Sequence, residues 1–182
     1  MAVAECRCLD TYKHNFAPRP AVELRALFDA VPLGAFHTLE TLVFQGDEDK
    51  LDTQLAEAEI AVVADAISKV SLPSLRKLVL SGNALRDGGM TLLAKALGSG
   101  AVPLLIILDF NCCNVGERGG EALASAVRTG AMPELQKLHL DANLELGAGG
   151  AALVRARANG DAPRLRILDV GNCGLGKPPC LP

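Results

Sequence analysis

The sequence predicts an α/β fold in which strand–helix units stack as a solenoid around a parallel sheet, and three observations indicate it. The segment LRKLVLSGN begins at Leu75 and returns as LIILDFNCC, LQKLHLDAN and LRILDVGNC at intervals of 30 residues. Glycines and prolines return at the same interval. Apolar residues make up 49% of the 182-residue chain, yet aromatic residues make up only 3%. A fixed period of this length is typical of stacked repeats, and strands that recur with helices between them pair in parallel.

Each repeat predicts one strand and one helix. In the first regular copy, Leu78 and Leu80 alternate with other residues, as in a strand with one buried face. The apolar residues that follow share one face of a helix: Met90, Leu93, Ala94 and Leu97. Glycines that favour a left-handed cap come after the helices: Gly100, Gly130 and Gly160. Prolines then prevent the helices from continuing into the next strands: Pro103, Pro133 and Pro163.

Two irregular units precede the regular ones. The segment LETLVFQGD begins at Leu39, 36 residues before Leu75, which predicts a six-residue insertion in the charged loop 47–52. A degenerate copy is expected before it, because Val3, Cys6 and Cys8 stand 36 residues before Leu39, Leu42 and Phe44. We therefore predict a single domain over residues 1–182. It comprises a degenerate N-terminal repeat or cap (1–38), an irregular repeat (39–74), three 30-residue repeats (75–164) and a truncated last repeat with its tail (165–182).

The repeated segment resembles the leucine-rich repeats of the ribonuclease-inhibitor type, whose pattern L-x-x-L-x-L-x-x-N/C-x-L fits residues 39–173. This resemblance implies a short right-handed α/β horseshoe arc, with a concave parallel sheet and helices on the convex side. It also implies that the residues at the ninth position point inward and bond the backbone of adjacent turns. These residues form the expected structural ladder: Asn83, Cys113, Asn143 and Cys173, with Asp47 in the irregular copy.

The regular pattern is broken at three places. Glu145 stands where an apolar residue is expected, so Leu144 or Leu146 must fill that place in the core. Arg157 stands where the earlier helices have Leu97 and Val127, and we expect its charged end to reach solvent. The strand after Leu165 is followed by no predicted helix, so the tail folds back over it, a partner covers it, or the chain is a fragment. Self-association through this uncapped C-terminal edge is an expected possibility.

Charge and composition argue against several classes of protein. The 18 Lys and Arg nearly balance the 21 Asp and Glu, and the formal charge of −3 provides no basic field for nucleic acid or an anionic membrane. Charged residues near the N-terminus argue against a secretory signal, and no apolar run reaches about 18 residues. We therefore expect a protein of the cytoplasm, with the nucleus also open, whose cysteines are free thiols.

The sequence predicts no catalytic residue, metal site or cofactor. The segment GNCGLGK at 171–177 fits the phosphate-binding loop, but Pro178 replaces the Ser or Thr that holds magnesium and no helix follows. The pairs Cys6 with Cys8 and Cys173 with Cys180 stand at opposite ends of the solenoid, so they are not expected to share a metal. No signature of a hydrolase or a zinc protease is present. We therefore predict that the protein is not an enzyme.

The candidate binding surface is the sheet face that points away from the core. Three positions of each strand segment project there, and equivalent residues of adjacent strands lie about 4.8 Å apart. Val43 and Val79 carry no charge in the N-terminal half of this face. The C-terminal half places Asp109, Asp141 and Asp169 around His139. The residues predicted to bind a partner are Lys77, Ile107, Asp109, Asn111, Lys137, His139, Asp141, Ile167 and Asp169. Three interpretations remain open for them: a solvated face, a docking patch for a basic partner, or a divalent-metal or acid–base site.

The resemblance implies a function in binding. Leucine-rich repeat proteins of this type mostly present the concave face or its rims to another protein, so we predict a non-catalytic protein–protein interaction scaffold. The alternative is a regulator of a small GTPase, because relatives with this repeat include the activating proteins of the Ran GTPase. Those proteins are longer and carry an acidic tail, neither of which this sequence shows.

Overall fold

A computed structural model describes residues 7–10, 25, 37–46, 54–70 and 72–174. Six short strands form one sheet: β1 (Cys8–Asp10), β2 (Thr41–Val43), β3 (Lys77–Val79), β4 (Ile107–Asp109), β5 (Lys137–His139) and β6 (Ile167–Asp169). Four helices follow strands within the described ranges: α1 (Glu57–Val70), α2 (Arg86–Leu97), α3 (Glu117–Arg128) and α4 (Gly147–Ala158).

The order of the strands in the sheet is their order in the chain. Each strand pairs in parallel with the next, from β1 to β6. The helices pack in the same order on one side of the sheet, α1 on α2, α2 on α3 and α3 on α4. The predicted α/β solenoid with a parallel sheet is therefore confirmed, and position along the chain corresponds to position along the solenoid.

The core lies between the sheet and the helices. The middle residue of each strand from β2 to β5 points into it and is fully buried: Leu42, Leu78, Leu108 and Leu138. Leucines of the three later helices face them: Leu93, Leu123 and Leu153. The core repeats the same narrow layer in every unit, and this explains why the sequence is rich in leucine and alanine and poor in large aromatic residues.

Glycine has two distinct roles in the repeat. Gly100, Gly130 and Gly160 adopt φ of +83°, +70° and +82° after their helices, which confirms the predicted left-handed caps. Gly149 serves close packing instead. A Cβ at this position would lie 2.6 Å from the carbonyl oxygen of Glu117 and 2.7 Å from the Cα of Gly120. The backbones of α3 and α4 therefore approach so closely here that no side chain fits.

The register of the first strand differs from the expected one. β1 pairs Cys8 with Thr41 and Leu9 with Leu42, so the two strands are 33 residues apart. The expected offset of 36 residues, which made Cys6 the counterpart of Leu42, is wrong. That offset depended on three weakly apolar residues, whereas the observed register aligns a leucine with a leucine.

Two of the three departures are resolved by the described residues. Leu146 is fully buried whereas Leu144 is 72% exposed, so Leu146 takes the core place that Glu145 leaves. Gly147, the residue after Leu146, has a φ of +38°. Arg157 is exposed, as expected, and its Nη2 donates a hydrogen bond to the carbonyl oxygen of Arg166 at 3.0 Å. The charged loop 47–52 and the tail 175–182 lie outside the described residues.

Candidate functional site

The ladder residues lie inside the solenoid and bond the preceding repeat. Asn143 is fully buried, and its Nδ2 donates to the carbonyl oxygens of Phe110 at 2.9 Å and Leu140 at 2.7 Å. Its Oδ1 accepts from the N–H groups of Cys113 at 3.1 Å and Val115 at 2.9 Å. The side chain therefore satisfies four backbone groups of the turn between two repeats, which would otherwise be buried without partners.

The other ladder residues repeat this pattern in part. Asn83 donates to the carbonyl of Phe44 at 2.6 Å and accepts from the N–H of Leu55 at 2.7 Å. The thiols of Cys113 and Cys173 donate to the carbonyls of Leu80 and Leu140 at 3.1 and 2.9 Å. A thiol is a weaker donor and a weaker acceptor than the asparagine amide, so the ladder interactions of the cysteine repeats are weaker.

Burial controls the chemistry of these two thiols. It raises the pKa of Cys113 from its ordinary value of 9.0 to about 12, and it also raises the pKa of Cys173. The two cysteines are free thiols, as expected from the sequence. A thiol that stays protonated at neutral pH is a poor nucleophile and a poor metal ligand, so these positions are structural.

A second ladder of side chains, which sequence reasoning missed, caps the helices. The Oδ1 of Asp87, in the first turn of α2, accepts from the N–H groups of Gly116 at 2.9 Å and Gly119 at 2.8 Å. These donors belong to the start of α3, which has no capping side chain of its own. Glu117 of α3 likewise accepts from the N–H of Ala148 in α4 at 3.3 Å. The available signal was an acidic residue in the first turn of consecutive helices.

The predicted binding residues lie on the sheet face opposite the helices, the concave face. The sheet register aligns Lys77, Ile107, Lys137 and Ile167 in one row across β3 to β6. It aligns Val79, Asp109, His139 and Asp169 in the parallel row. His139 thus lies between two aspartates, each one strand away, and the two aspartates are about 10 Å apart at the usual strand spacing.

Hydrogen bonds to the backbone two residues further on orient the carboxylates of Asp109 and Asp169. Asp109 Oδ1 accepts from the N–H of Asn111, and Asp169 Oδ1 accepts from the N–H of Gly171, both at 3.2 Å. The second oxygen of Asp169 lies 3.8 Å from Nδ1 of His139. The carboxylates are therefore held at fixed positions, with an oxygen of Asp169 directed toward the histidine.

The polar side chains beside this row are bonded to one another and to the neighbouring backbone. Asn111 Oδ1 accepts from the N–H of Asp141 at 2.7 Å, and Asp141 Oδ1 accepts from the side-chain amide of Asn172 at 3.2 Å. Both residues are half-buried, like the aspartates and His139, while Lys77 and Lys137 are exposed. The face therefore presents exposed lysines beside half-buried polar side chains that are already hydrogen-bonded.

Access to the concave face is uneven. Val43 and Val79 are buried, and Ser81 is buried beside them. Both valines occupy the predicted row, but their burial leaves the N-terminal half of the face with little accessible surface. Ile107 is half-buried where exposure was expected, whereas Ile167 is 43% exposed. The accessible part of the face is its C-terminal half.

Metal binding finds no support in this geometry. Among the described residues, no group of three or more His, Cys, Asp or Glu side chains is placed to hold a metal ion. The described helices include none that is long and apolar enough to span a membrane. What the described residues do form is a charged sheet face on which Lys77 and Lys137 are exposed and Asp109, His139 and Asp169 are half-buried.

The geometry defines a class, a repeat solenoid with an exposed sheet face, and comparison with known proteins gives the family. A family model for leucine-rich repeats matches residues 71–94 and 103–124. This match and the repeated strand–helix units together support a leucine-rich repeat protein. No curated protein matches the sequence. Leucine-rich repeats indicate a protein-interaction scaffold, and the family is generally non-catalytic.

Proposed function

We propose that the chain binds a protein partner with a basic surface through the C-terminal half of its concave face. The observation that supports this is the row formed by Asp109, His139 and Asp169 on three adjacent strands. Two carboxylates of this row are oriented by backbone N–H groups, so little side-chain entropy is lost when a cation binds them. A partner that presents Arg or Lys side chains would complement them.

The scaffold acts without catalysis. Its charged contacts are the exposed Lys77 and Lys137, and its apolar contact is the exposed Ile167. Half-buried polar residues complete the binding surface: Asp109, Asn111, His139, Asp141 and Asp169. None of the described residues that project from this face is Phe, Tyr or Trp, and aromatic residues usually dominate tight interfaces. We therefore expect moderate affinity that falls as ionic strength rises.

We place this function in the cytoplasm. Regulation of a small GTPase is the alternative, which a GTP hydrolysis assay with candidate GTPases tests directly.

A capture experiment with matched variants tests the concave face. The wild type, the double variant Asp109→Asn/Asp169→Asn and the control Glu121→Gln are immobilised and exposed to the same cell lysate. The asparagines keep an oxygen for the N–H groups of Asn111 and Gly171 but remove both charges, whereas Glu121 is exposed on α3. We expect partners held by the wild type and the control to be recovered at least tenfold less with the double variant. Equal recovery by all three proteins would argue against the concave face.

A further inference from the structure

β6 is the last strand of the described residues, and its outer edge pairs with no other described strand. In every inner repeat, the carbonyl before a strand accepts two N–H groups from the next repeat. The carbonyl of Gln136, for example, accepts from Arg166 at 2.9 Å and Ile167 at 3.0 Å. The corresponding carbonyl of the last repeat belongs to Arg166, and there the guanidinium of Arg157 is the donor. One position of the edge is thus occupied by a side chain.

Further along the same edge, two N–H groups lack an acceptor. Leu140 and Ala142 donate to the carbonyls of Asp169 and Gly171 in the last repeat, at 2.8 and 3.2 Å. The equivalent donors one repeat later are the N–H groups of Val170 and Asn172, and the described part of the chain supplies no acceptor for either. They are two residues apart, and Asn172 lies in a turn with φ of +47°. In each inner repeat the equivalent pair donates to two carbonyls of the next repeat, so another segment can bind this pair in the same way.

Apolar side chains at this edge remain accessible. Leu138 and Leu140 are fully buried in β5 and just after it, whereas their counterparts Leu168 and Val170 are only half-buried. Ile167 is 43% exposed on the same strand. Surface that each inner repeat covers with its successor is therefore available here, and an added strand would bury it.

The C-terminal segment that includes this edge is basic, in contrast to the chain as a whole. Residues 151–182 contain five basic and two acidic side chains, whereas residues 1–74 contain six basic and twelve acidic ones. Four arginines account for the difference: Arg155, Arg157, Arg164 and Arg166. All four are exposed, and among the described residues Arg164 alone has an acidic partner, Glu134. The helix dipole favours the two arginines in the last turn of α4, but the other two lie outside any described helix.

We propose that an acidic, extended segment of a protein partner docks at this edge as an added strand beside β6. Its carbonyls accept the N–H groups of Val170 and Asn172, and its carboxylates pair with Arg155 and Arg166. Arginine presents a planar fork that suits carboxylates. Residues 151–182 contain no aromatic residue on which a nucleic-acid base would stack. Residues 175–182 of the chain itself contain no acid and three prolines, so their composition differs from that of the proposed segment.

Synthetic peptides test the proposal without knowledge of the natural partner. The probe is a capped peptide of four Glu-Val units, and the control peptide has four Lys-Val units. Backbone amide resonances of the full chain are followed by NMR during titration. We expect the Glu-Val peptide to shift the amide signals of Val170 and Asn172, and the Lys-Val peptide to leave them in place. Shifts confined to the row of Asp109, His139 and Asp169 would overturn this proposal and leave the proposed function intact.

Charge-reversal variants test the role of the arginines. The double variant Arg155→Glu/Arg166→Glu should weaken binding of the Glu-Val peptide at least tenfold, whereas Arg118→Glu, in the first turn of α3, should leave it within twofold. Equal affinity of wild type and double variant would overturn the proposal. So would tighter binding of a thymidine oligonucleotide or of phosphatidylserine vesicles than of the peptide. Sedimentation showing a wild-type dimer that excludes the peptide would assign the edge to a second copy and overturn it as well.

Discussion

The cap that Asp87 provides for the next helix gives a measurable test of how the repeats are coupled. Replacing Asp87 with alanine removes two charge-assisted hydrogen bonds, to the N–H groups of Gly116 and Gly119. Loss of an N-cap costs about 1 kcal/mol, and loss of a negative charge at a helix N-terminus costs a further ~0.3–1 kcal/mol. Because α3 has no other capping side chain, we expect the free energy of unfolding to fall by about 1.3–2 kcal/mol.

Urea denaturation followed by circular dichroism measures this loss, with two companion variants. Asp87→Asn keeps an oxygen acceptor without the charge, so it should retain part of the stability. Glu121→Ala removes an exposed acid of α3 that caps nothing in the described chain, and it should cost less than about 0.5 kcal/mol, as surface substitutions usually do. The reasoning is refuted if Asp87→Ala and Glu121→Ala are equally stable, because the cap would then contribute nothing.

Two further predictions concern the inner ladder. Asn143→Ala removes four hydrogen bonds inside the solenoid, and at about 1 kcal/mol for each it should lower the free energy of unfolding by about 3–4 kcal/mol; Asn143→Cys should lower it less, and equal losses in urea denaturation would contradict the ladder. Cys113 should make stability depend on pH: its pKa is raised from 9.0 to about 12, so its stabilising contribution is full below pH 9 and is lost as the pH rises toward 12. The wild type should therefore lose more stability than Cys113→Asn between pH 8 and pH 11, and parallel pH profiles would count against this burial.

The sequence allowed the fold and the register of the later strands to be predicted because they follow from periodicity. A residue 30 positions further on occupies the same place in the next turn, so the row of Asp109, His139 and Asp169 could be aligned without a structure. Periodicity failed where the repeat is degenerate. At β1, weakly apolar residues fitted an offset of 36 as well as the observed 33.

Interactions between repeats were harder to predict, because they depend on where side chains reach. The bond from Asp87 to the start of α3 crosses about 30 residues of sequence, and nothing in the local pattern distinguishes it from an ordinary first-turn acid. The burial of Val79 depends on what surrounds the strand, whereas its aligned counterpart Asp109 is half-buried. The role of Arg157 depends on the absence of a following repeat among the described residues, so its departure from the pattern pointed to exposure but not to the carbonyl that it binds.

Comparison of equivalent positions indicates where a partner can be recognised. The buried row Leu42, Leu78, Leu108 and Leu138 holds one residue type, because each unit fills the same gap between sheet and helix. On the concave face, one row alternates between lysine and isoleucine from β3 to β6, and it does so with an unchanged backbone register. The fold therefore places little demand on side chains there. Side-chain identity in that row and in the aspartate row next to it is free to be set by a partner, and this is why we place recognition on that face.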